Sequence, residues 1–467
     1  MAVNEPKTQE EYDTGRALLL ATVAALGGFL FGFDTAVING AVTAVRAEFH
    51  MGDLLTGFTV SSALLGCVVG AYAAGWLADR QGRIKVMVLA AALFVISALG
   101  SGLAFSPWEL ILWRVIGGLG VGAASVIAPA YIAEISPASI RGRMGSLQQL
   151  AIVTGIFIAL LSDAFLAGLA GGAGKELWFG LAAWRWMFLA GVIPALAYGI
   201  MSLQIPESPR YLVSRGENDK ARSVLGQVLK TGIDERMSEI RRTVALEARS
   251  SFKDLEKPGG GGLLPIVWVG IALSVFQQFV GINVIFYYSS ALWQQVGFSE
   301  SDALTITVIT SVTNIVVTLV AISVIDKIGR RVLLLIGSAG MAVTLGTLSA
   351  VFGSAPVQNN QPVLGHTAGI IALLAPNLFV VFFGVSWGPV VWVLLGEMFN
   401  NKIRASALGL AAAAQWLANF AISTSFPKFA DIGLAFAYGF YTFFAVLSFF
   451  FVAKFVRETK GRQLEDM

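Results

Sequence analysis

Asp79-Arg80-Gln81-Gly82-Arg83-Ile84-Lys85 runs straight into VMVLAAALFVISALGSGLA, residues 86–104, a stretch without a charged side chain. Such a run approaches the ~20 apolar residues that a helix needs to cross hydrocarbon. Val308–Val324 and Tyr438–Ala453 are of the same kind. Backbone polar groups in lipid are satisfied only by helices or closed barrels, and these runs lack the period-two alternation of a barrel strand. Helices are therefore expected. The composition agrees: 56% of the 467 residues are hydrophobic and 13% charged, where soluble chains carry roughly 25% charge. The mean hydropathy is +0.73.

Working outward, spans are expected near 17–45, 55–78, 84–105, 108–132, 143–168 and 184–205, then near 264–296, 302–325, 331–353, 367–396, 403–427 and 432–455. With an even number of spans both termini share a side. Placing them in the cytoplasm puts Arg80, Arg83, Lys85, Arg141, Arg143, Lys327, Arg330, Arg331, Lys402 and Arg404 in short inner loops, against Arg46, Lys175, Arg185 and Lys428 outside. That bias follows the positive-inside rule. Five parts result: a cytoplasmic tail 1–16, a six-helix bundle 17–205, a charged helical linker 206–262, a second bundle 263–455 and a tail 456–467. No small-residue cleavage site closes a short apolar core, so no cleaved signal peptide is expected. Pro258-Gly-Gly-Gly-Gly262 reads as a joint. The lone Cys67 excludes an intramolecular disulfide, and His50 and His366 are too few and too far apart for a metal cluster. Neither a cofactor nor nucleic acid is implied, and no nucleophile–base–orienter set points to an enzyme.

The charged start of the opening stretch recurs. Asp326-Lys327-Ile328-Gly329-Arg330-Arg331 follows the eighth span as Asp79 to Arg83 follows the second; Glu134 stands seven residues before Arg141, and Glu397 seven before Arg404. Equivalent charges in equivalent places are the trace of a parallel repeat about an axis along the membrane normal, and transporters bind substrate between such halves. Ordinary positive-inside loops are the competing reading of any one such motif.

These loops, together with Pro206-Glu207-Ser208-Pro209-Arg210-Tyr211-Leu212, Arg114-Val-Ile-Gly-Gly-Leu-Gly-Val-Gly122, Gln277-Gln278-Phe-Val-Gly-Ile-Asn283 and Trp387-Gly388-Pro389-Val-Val-Trp392, resemble the sugar porter branch of the major facilitator superfamily, from about residue 20 to 465. The resemblance implies an all-α membrane fold of twelve transmembrane helices in two pseudo-symmetric six-helix bundles with short intracellular helices. It departs at the C-terminus, where Arg457-Glu458-Thr459-Lys460-Gly461 replaces a usual Pro-Glu-Thr-Lys-Gly.

A sugar is a disc of hydroxyls with one apolar face, so its site needs amides, which donate and accept, beside flat aromatic surface. The expected spans carry Gln149, Gln277, Gln278, Asn283, Asn314, Trp392, Gln415, Trp416 and Asn419. Gln415 and Asn419 share a helix face at i,i+4. Gln278 and Asn283 stand about 140° apart on an ideal helix, so they meet only if the seventh span breaks near Gly281. Family resemblance marks Gln149, Gln277, Gln278, Asn283, Asn314, Trp392 and Gln415 as sugar contacts. Interhelical glue, worth about 0.6–2 kcal/mol per amide, is the competing account of any single one. For Trp387, packing competes with contact.

Asp34 and Arg114 are read as charges within the membrane, each the other's candidate partner, since an ionisable group there costs at least about 2.5–3.5 kcal/mol. A carboxylate protonated in one conformation and ion-paired in another couples proton movement to alternating access; a static salt bridge is the alternative. The resemblance favours proton symport, because proton-coupled relatives carry Asp here. Asp79, Arg83, Glu134, Arg141, Arg143, Glu207 and Arg210, with Asp326, Arg330, Arg331, Glu397 and Arg404, are expected to form cytoplasmic ion-pair networks that hold the two halves together and break on switching. Gly388-Pro389 reads as a helix break, and Gly118, Gly120 and Gly122 as a close-packing stripe. The expected protein is a proton-coupled hexose symporter, D-glucose first, monomeric among lipid in a bacterial plasma membrane, with a facilitative uniporter as the alternative. A drug exporter would need a larger apolar or cationic cavity, and a sugar sensor a long signalling tail.

Overall fold

The computed structural model describes residues 11–137, 140–247, 252–257, 261–358, 361–362, 364–399 and 403–459. Its spans are Thr14–Glu48, Asp53–Gln81, Arg83–Leu103, Pro107–Ile135, Arg141–Ala170 and a sixth in two pieces, Ala183–Ala190 and Val192–Ser202. The second half comprises a divided seventh span, Pro265–Phe279 and Ile282–Gln295, then Glu300–Ile328, Arg330–Ser354, a divided tenth, His366–Val385 and Trp387–Met398, then Arg404–Ile432 and Leu434–Phe455. Among the described residues, eleven helices are long and apolar enough to cross a membrane. The remaining one, Arg404–Ile432, has crossing length but carries Gln415, Asn419, Ser423 and Thr424, which lower its hydropathy.

Local chemistry sets the helix starts. Asp13 accepts from Arg16 N at 2.9 Å to cap the first span, and Ser106 caps the fourth, with Pro107 at the first helical position, where its missing N–H costs nothing. The third span buries Met87, Ala90, Ala91, Phe94 and Ala98 yet exposes Leu89, Ile96, Leu99 and Leu103. A helix apolar on both faces is suited to protein on one side and acyl chains on the other.

Small residues bring the backbones together. A Cβ at Gly118 would land on the Ala63 carbonyl and one at Gly122 on Cys67, while Gly66 and Gly70 of the second span meet Val115 and Leu119 of the fourth. The expected glycine stripe is thus a packing seam. Gly32 and Gly155 join spans one and five in the same way. Between the halves, span two packs on eleven, five on eight, and one on the second piece of seven.

The linker folds as Pro209–Ser214, Asn218–Gly226, Ile233–Glu247 and a 3-10 turn at Phe252–Leu255. The N-terminal segment adds to it: Asp13 N donates to Val228 O at 2.8 Å and Lys230 N to Glu11 O at 2.7 Å. Residues 11–13 and Glu458 therefore both lie at the linker end of the bundle. Two short hairpins, Glu176–Trp178 with Leu181–Ala182 and Val357–Gln358 with Gln361–Pro362, sit at the opposite end and were not expected from sequence. Of the expected Gly-rich joint, residues 258–260 lie outside the described residues.

The seam makes a direct prediction for detergent-solubilised protein. Gly118→Ala should lower unfolding stability by about 1–3 kcal/mol through overpacking. Gly75→Ala, where a Cβ meets nothing within 4 Å, should be neutral or stabilising by up to about 1 kcal/mol. Equal thermal-shift results for the two would contradict the seam.

Candidate functional site

The seventh span breaks where the sequence demanded. Gly281 takes φ +84°, and a Cβ there would sit 2.8 Å from the Tyr441 ring, so both conformation and space require glycine. The break lets Asn283 Nδ2 donate to Gln278 Oε1, across five residues that a straight helix would hold apart. In the tenth span the helix parts at Ser386, three residues before Pro389, whose missing N–H leaves the preceding turn unclosed. Ser386 Oγ donates instead to Phe382 O at 2.5 Å. Gln277 Nε2 spans the two breaks, donating to Trp387 O at 2.8 Å and Gly388 O at 3.2 Å. Trp387 is fully buried, its Nε1 bonded to Leu334 O and Ser338 Oγ at 3.1 and 3.0 Å, so it packs.

The eleventh span closes on the same region. Asn419 Nδ2 donates to the Tyr287 hydroxyl at 3.4 Å and Asn419 Oδ1 accepts from Ser423 Oγ at 3.0 Å. Trp416 meets Phe31 of the first span edge to face, centroids 5.4 Å apart, so an aromatic pair bridges the halves. Gln149, Asn314 and Gln415 are half-buried and make no side-chain hydrogen bond among the described residues, where Gln415 Oε1 is fully buried without a partner. Trp392 is 41% exposed. The structure therefore joins Gln277, Gln278 and Asn283 into one chain, ties Asn419 to Tyr287 and packs Trp416 on Phe31. Two amides escaped the sequence reading. Gln148 is buried with an unpartnered Oε1 and would be struck by a Cβ at Gly28. Asn39 is wholly buried and joins the halves: its Nδ2 donates to Phe286 O at 2.9 Å, and Ser290 N donates to its Oδ1 at 3.1 Å. An Asn five residues beyond Asp34 in the same span was the available signal.

Asp34 and Arg114 are both buried in the first bundle, but no ion pair joins them. Arg114 Nη2 donates to Val60 O at 3.0 Å and its guanidinium lies 5.9 Å from the Phe188 ring, while Nε and Nη1 lack partners. Asp34 Oδ2 is likewise without one. The expected contact is thus open in this conformation, with both groups in electrostatic reach of one another.

At the linker end the charged motifs form two matching clusters. Arg83 forks onto Glu134 at 2.9 and 3.0 Å and also donates to Ala78 O and Asp79, while Glu207 accepts from Arg83 N and Ile84 N. In the second half Arg330 forks onto Glu397 at 2.8 and 3.1 Å and donates to Ile325 O, while Glu458 accepts from Arg330 N and Arg331 N. Ser208 and Thr459 donate to the respective glutamates, Glu134 and Glu397. Gly82 and Gly329 take φ +96° and +107°, and a Cβ at either would strike the capping carboxylate. One expectation needs correcting. The ion pairs described lie within a half, not between halves, because fork and cap come from neighbouring helices of one bundle. Arg210 stands 3.9 Å from Glu134, again in its own half, and Arg331 donates to Ala453 O, not to a carboxylate. The side chains of Arg141, Arg143, Asp326 and Arg404 lie outside the described residues. Glu458 and Thr459 were missed, although Arg457-Glu458-Thr459 follows span twelve as Pro206-Glu207-Ser208 follows span six.

A family model described as "Sugar (and other) transporter" matches residues 20–467. A glucose transport protein of Synechocystis sp. is 62% identical over 96% of each chain. The D-xylose-proton symporter of Escherichia coli is 38% identical over 98% of this chain and 96% of its own. A solved structure of the proton:xylose symporter XylE bound to 6-bromo-6-deoxy-D-glucose superposes with a TM-score of 0.80 at 38% identity, covering 97% of this chain and 98% of that one.

The clusters predict unequal sensitivities. Glu134→Gln leaves the Arg83 guanidinium, 10% exposed, without its fork and should cost about 3–5 kcal/mol of stability. Asp79→Asn, at a side chain 74% exposed, should cost less than about 1 kcal/mol. Denaturant titration of the purified variants reads the difference, and equal losses would show that the fork does not brace the bundle.

Proposed function

The chain belongs to the sugar transporter family of the major facilitator superfamily, and from that premise we propose that it is a proton-coupled hexose symporter, D-glucose first, working by alternating access. Placement in a bacterial plasma membrane with both termini cytoplasmic is supported by the basic residues gathered at the linker end and by the bacterial relatives.

The observation that carries the proton part is the buried, unpaired Asp34 beside a buried Arg114 with two free N–H-bearing nitrogens. A carboxyl in such a seat binds a proton while it stands apart from the guanidinium and releases it when a shift between spans one and four, within the first bundle, closes the pair. One proton moving down 100 mV supplies about 2.3 kcal/mol, enough for about fiftyfold accumulation of a neutral sugar. The sugar part is supported by the amides around the breaks in spans seven and ten. Gln277, Gln278 and Asn283 hold fixed donors and acceptors there, and Gln149, Asn314, Trp392, Gln415, Trp416 and Asn419 complete the proposed site. The hexose preference follows the relative named for glucose at 62% identity. That name says nothing of a proton, so facilitated uniport is the second reading.

Proteoliposomes holding the full chain should take up labelled glucose, outcompete it with glucose more than with xylose or fructose, and alkalinise the medium when sugar is added without an imposed gradient. Asp34→Asn should abolish accumulation above equilibrium, a loss of about fiftyfold at 100 mV, while sparing equilibrium exchange. Uphill accumulation by Asp34→Asn would overturn Asp34 as the coupling carboxyl, and a native protein that never exceeds equilibrium would leave uniport standing.

A further inference from the structure

A second carboxyl is sealed inside the first bundle. Asp163 of the fifth span is 0% exposed, although it sits mid-helix in an apolar run. Its Oδ2 accepts a single hydrogen bond, from Gly40 N at 3.2 Å, and its Oδ1 is buried with no partner. A Cβ at Gly40 would lie 2.5 Å from Asp163 Cβ, so the two spans touch here through this one side chain. Gly40 stands six residues beyond Asp34 along the first span, about 9 Å further from the linker end.

Spans one, four, six and eight and the hairpin strand Glu176–Trp178 pack against span five, and among the described residues none of their charged side chains bonds to Asp163. Arg46 pairs with Asp53 and Arg185 with Glu48; Arg114 donates to Val60 O; Arg83 holds Glu134. Glu109 accepts from Phe105 N, Glu300 from Ala173 N and Asp302 from Ser299. Asp326 and Lys327 lie at the linker end of span eight, and Asp34 one-third of the membrane away in that direction. Burying an isolated carboxylate is far more costly than burying its acid form. The neighbour of Gly40 is Asn39, which clasps Phe286, Ser289 and Ser290 of the seventh span, so Asp163 stands directly behind the contact that shuts the halves together away from the linker.

We propose that Asp163 is a second proton-linked positioning residue of the transport cycle: with its proton on, span one seats against span five and the Asn39 clasp holds; with its proton given up to water entering as the spans part, the clasp opens. The inference rests on the alternating-access reading and not on Asp34 being the coupling group.

A cysteine reporter reads the clasp. Gln294 lines a cleft of about 390 Å³ that also includes Thr43, Tyr288 and Asp431, at the end of the molecule away from the linker. The single native thiol, Cys67, is buried. Labelling of Q294C in the full-length protein by a charged thiol reagent, corrected against a free thiol at each pH, should rise about fivefold from about pH 6 to pH 9. In Asp163→Asn, neutral and of the same shape, the corrected rate should stay at the acid value throughout. Gly40→Ala, which wedges the spans apart and leaves the carboxyl in place, should label at the alkaline rate even at acid pH. A flat native profile, a native-like profile in Asp163→Asn, or unchanged acid labelling in Gly40→Ala would each overturn the proposal. Loss of sugar-induced alkalinisation in the native protein would instead remove the symport reading and leave this readout intact.

Discussion

Inside hydrocarbon a polar group has no water to turn to, so each amide, carboxyl or guanidinium must be met by the protein or left for a ligand. That constraint orders the whole bundle. Where the chain meets its own polar groups, the result is rigidity: Gln277 on the carbonyls of the tenth span, Trp387 on the ninth, and Asn39 across to the seventh. Where it does not, the open valences mark the places at which something else is handled. Asp34, Arg114 and Gln415 are such places.

The strong electrostatics serve each half separately. Arg83 and Arg330 occupy matched positions, each forked onto a glutamate from the fourth or tenth span while a second carboxylate caps the helix that the arginine begins. Such clusters brace each bundle at its linker end. Among the described residues the contacts that join the halves include the Asn39 bonds, a Ser61–Thr424 hydroxyl pair at 2.6 Å, the bond from Ala173 N to the Glu300 carboxylate and the Trp416–Phe31 edge contact. Rigid halves with modest contacts between them are what a two-state rocking motion needs, because a bias of a few kcal/mol then suffices to move the population.

The helix breaks supply the remaining requirement. A continuous helix shows a ligand only side chains on one face, whereas the partings at Gly281 and Ser386 turn the second pieces of spans seven and ten and bring residues from different faces together. Gln278 meets Asn283 for that reason alone. The breaks also place flexible points beside the proposed sugar site, where the two ends of a span can move by different amounts.

Twelve spans, two repeated halves, the helical linker and the close-packing glycine stripe of span four were legible in the sequence, because hydrophobic length, loop charge and residue size act locally and need no partner to be seen; that the stripe meets span two was not. So was the break at Gly281, since two amides five apart could serve one site in no other way. Which carboxylate each arginine takes was not legible: Glu134 and Glu207 are equally plausible on paper for Arg83, and only the packing makes one a fork and the other a cap. The same holds for the clusters lying within the halves, for Glu458 standing where Glu207 stands despite the altered residue before it, and for Asp34 and Arg114 being apart. Asp163 was missed, although an acid in an apolar run was the available signal, and its isolation was not legible, because being without a partner is a property of everything packed around a residue.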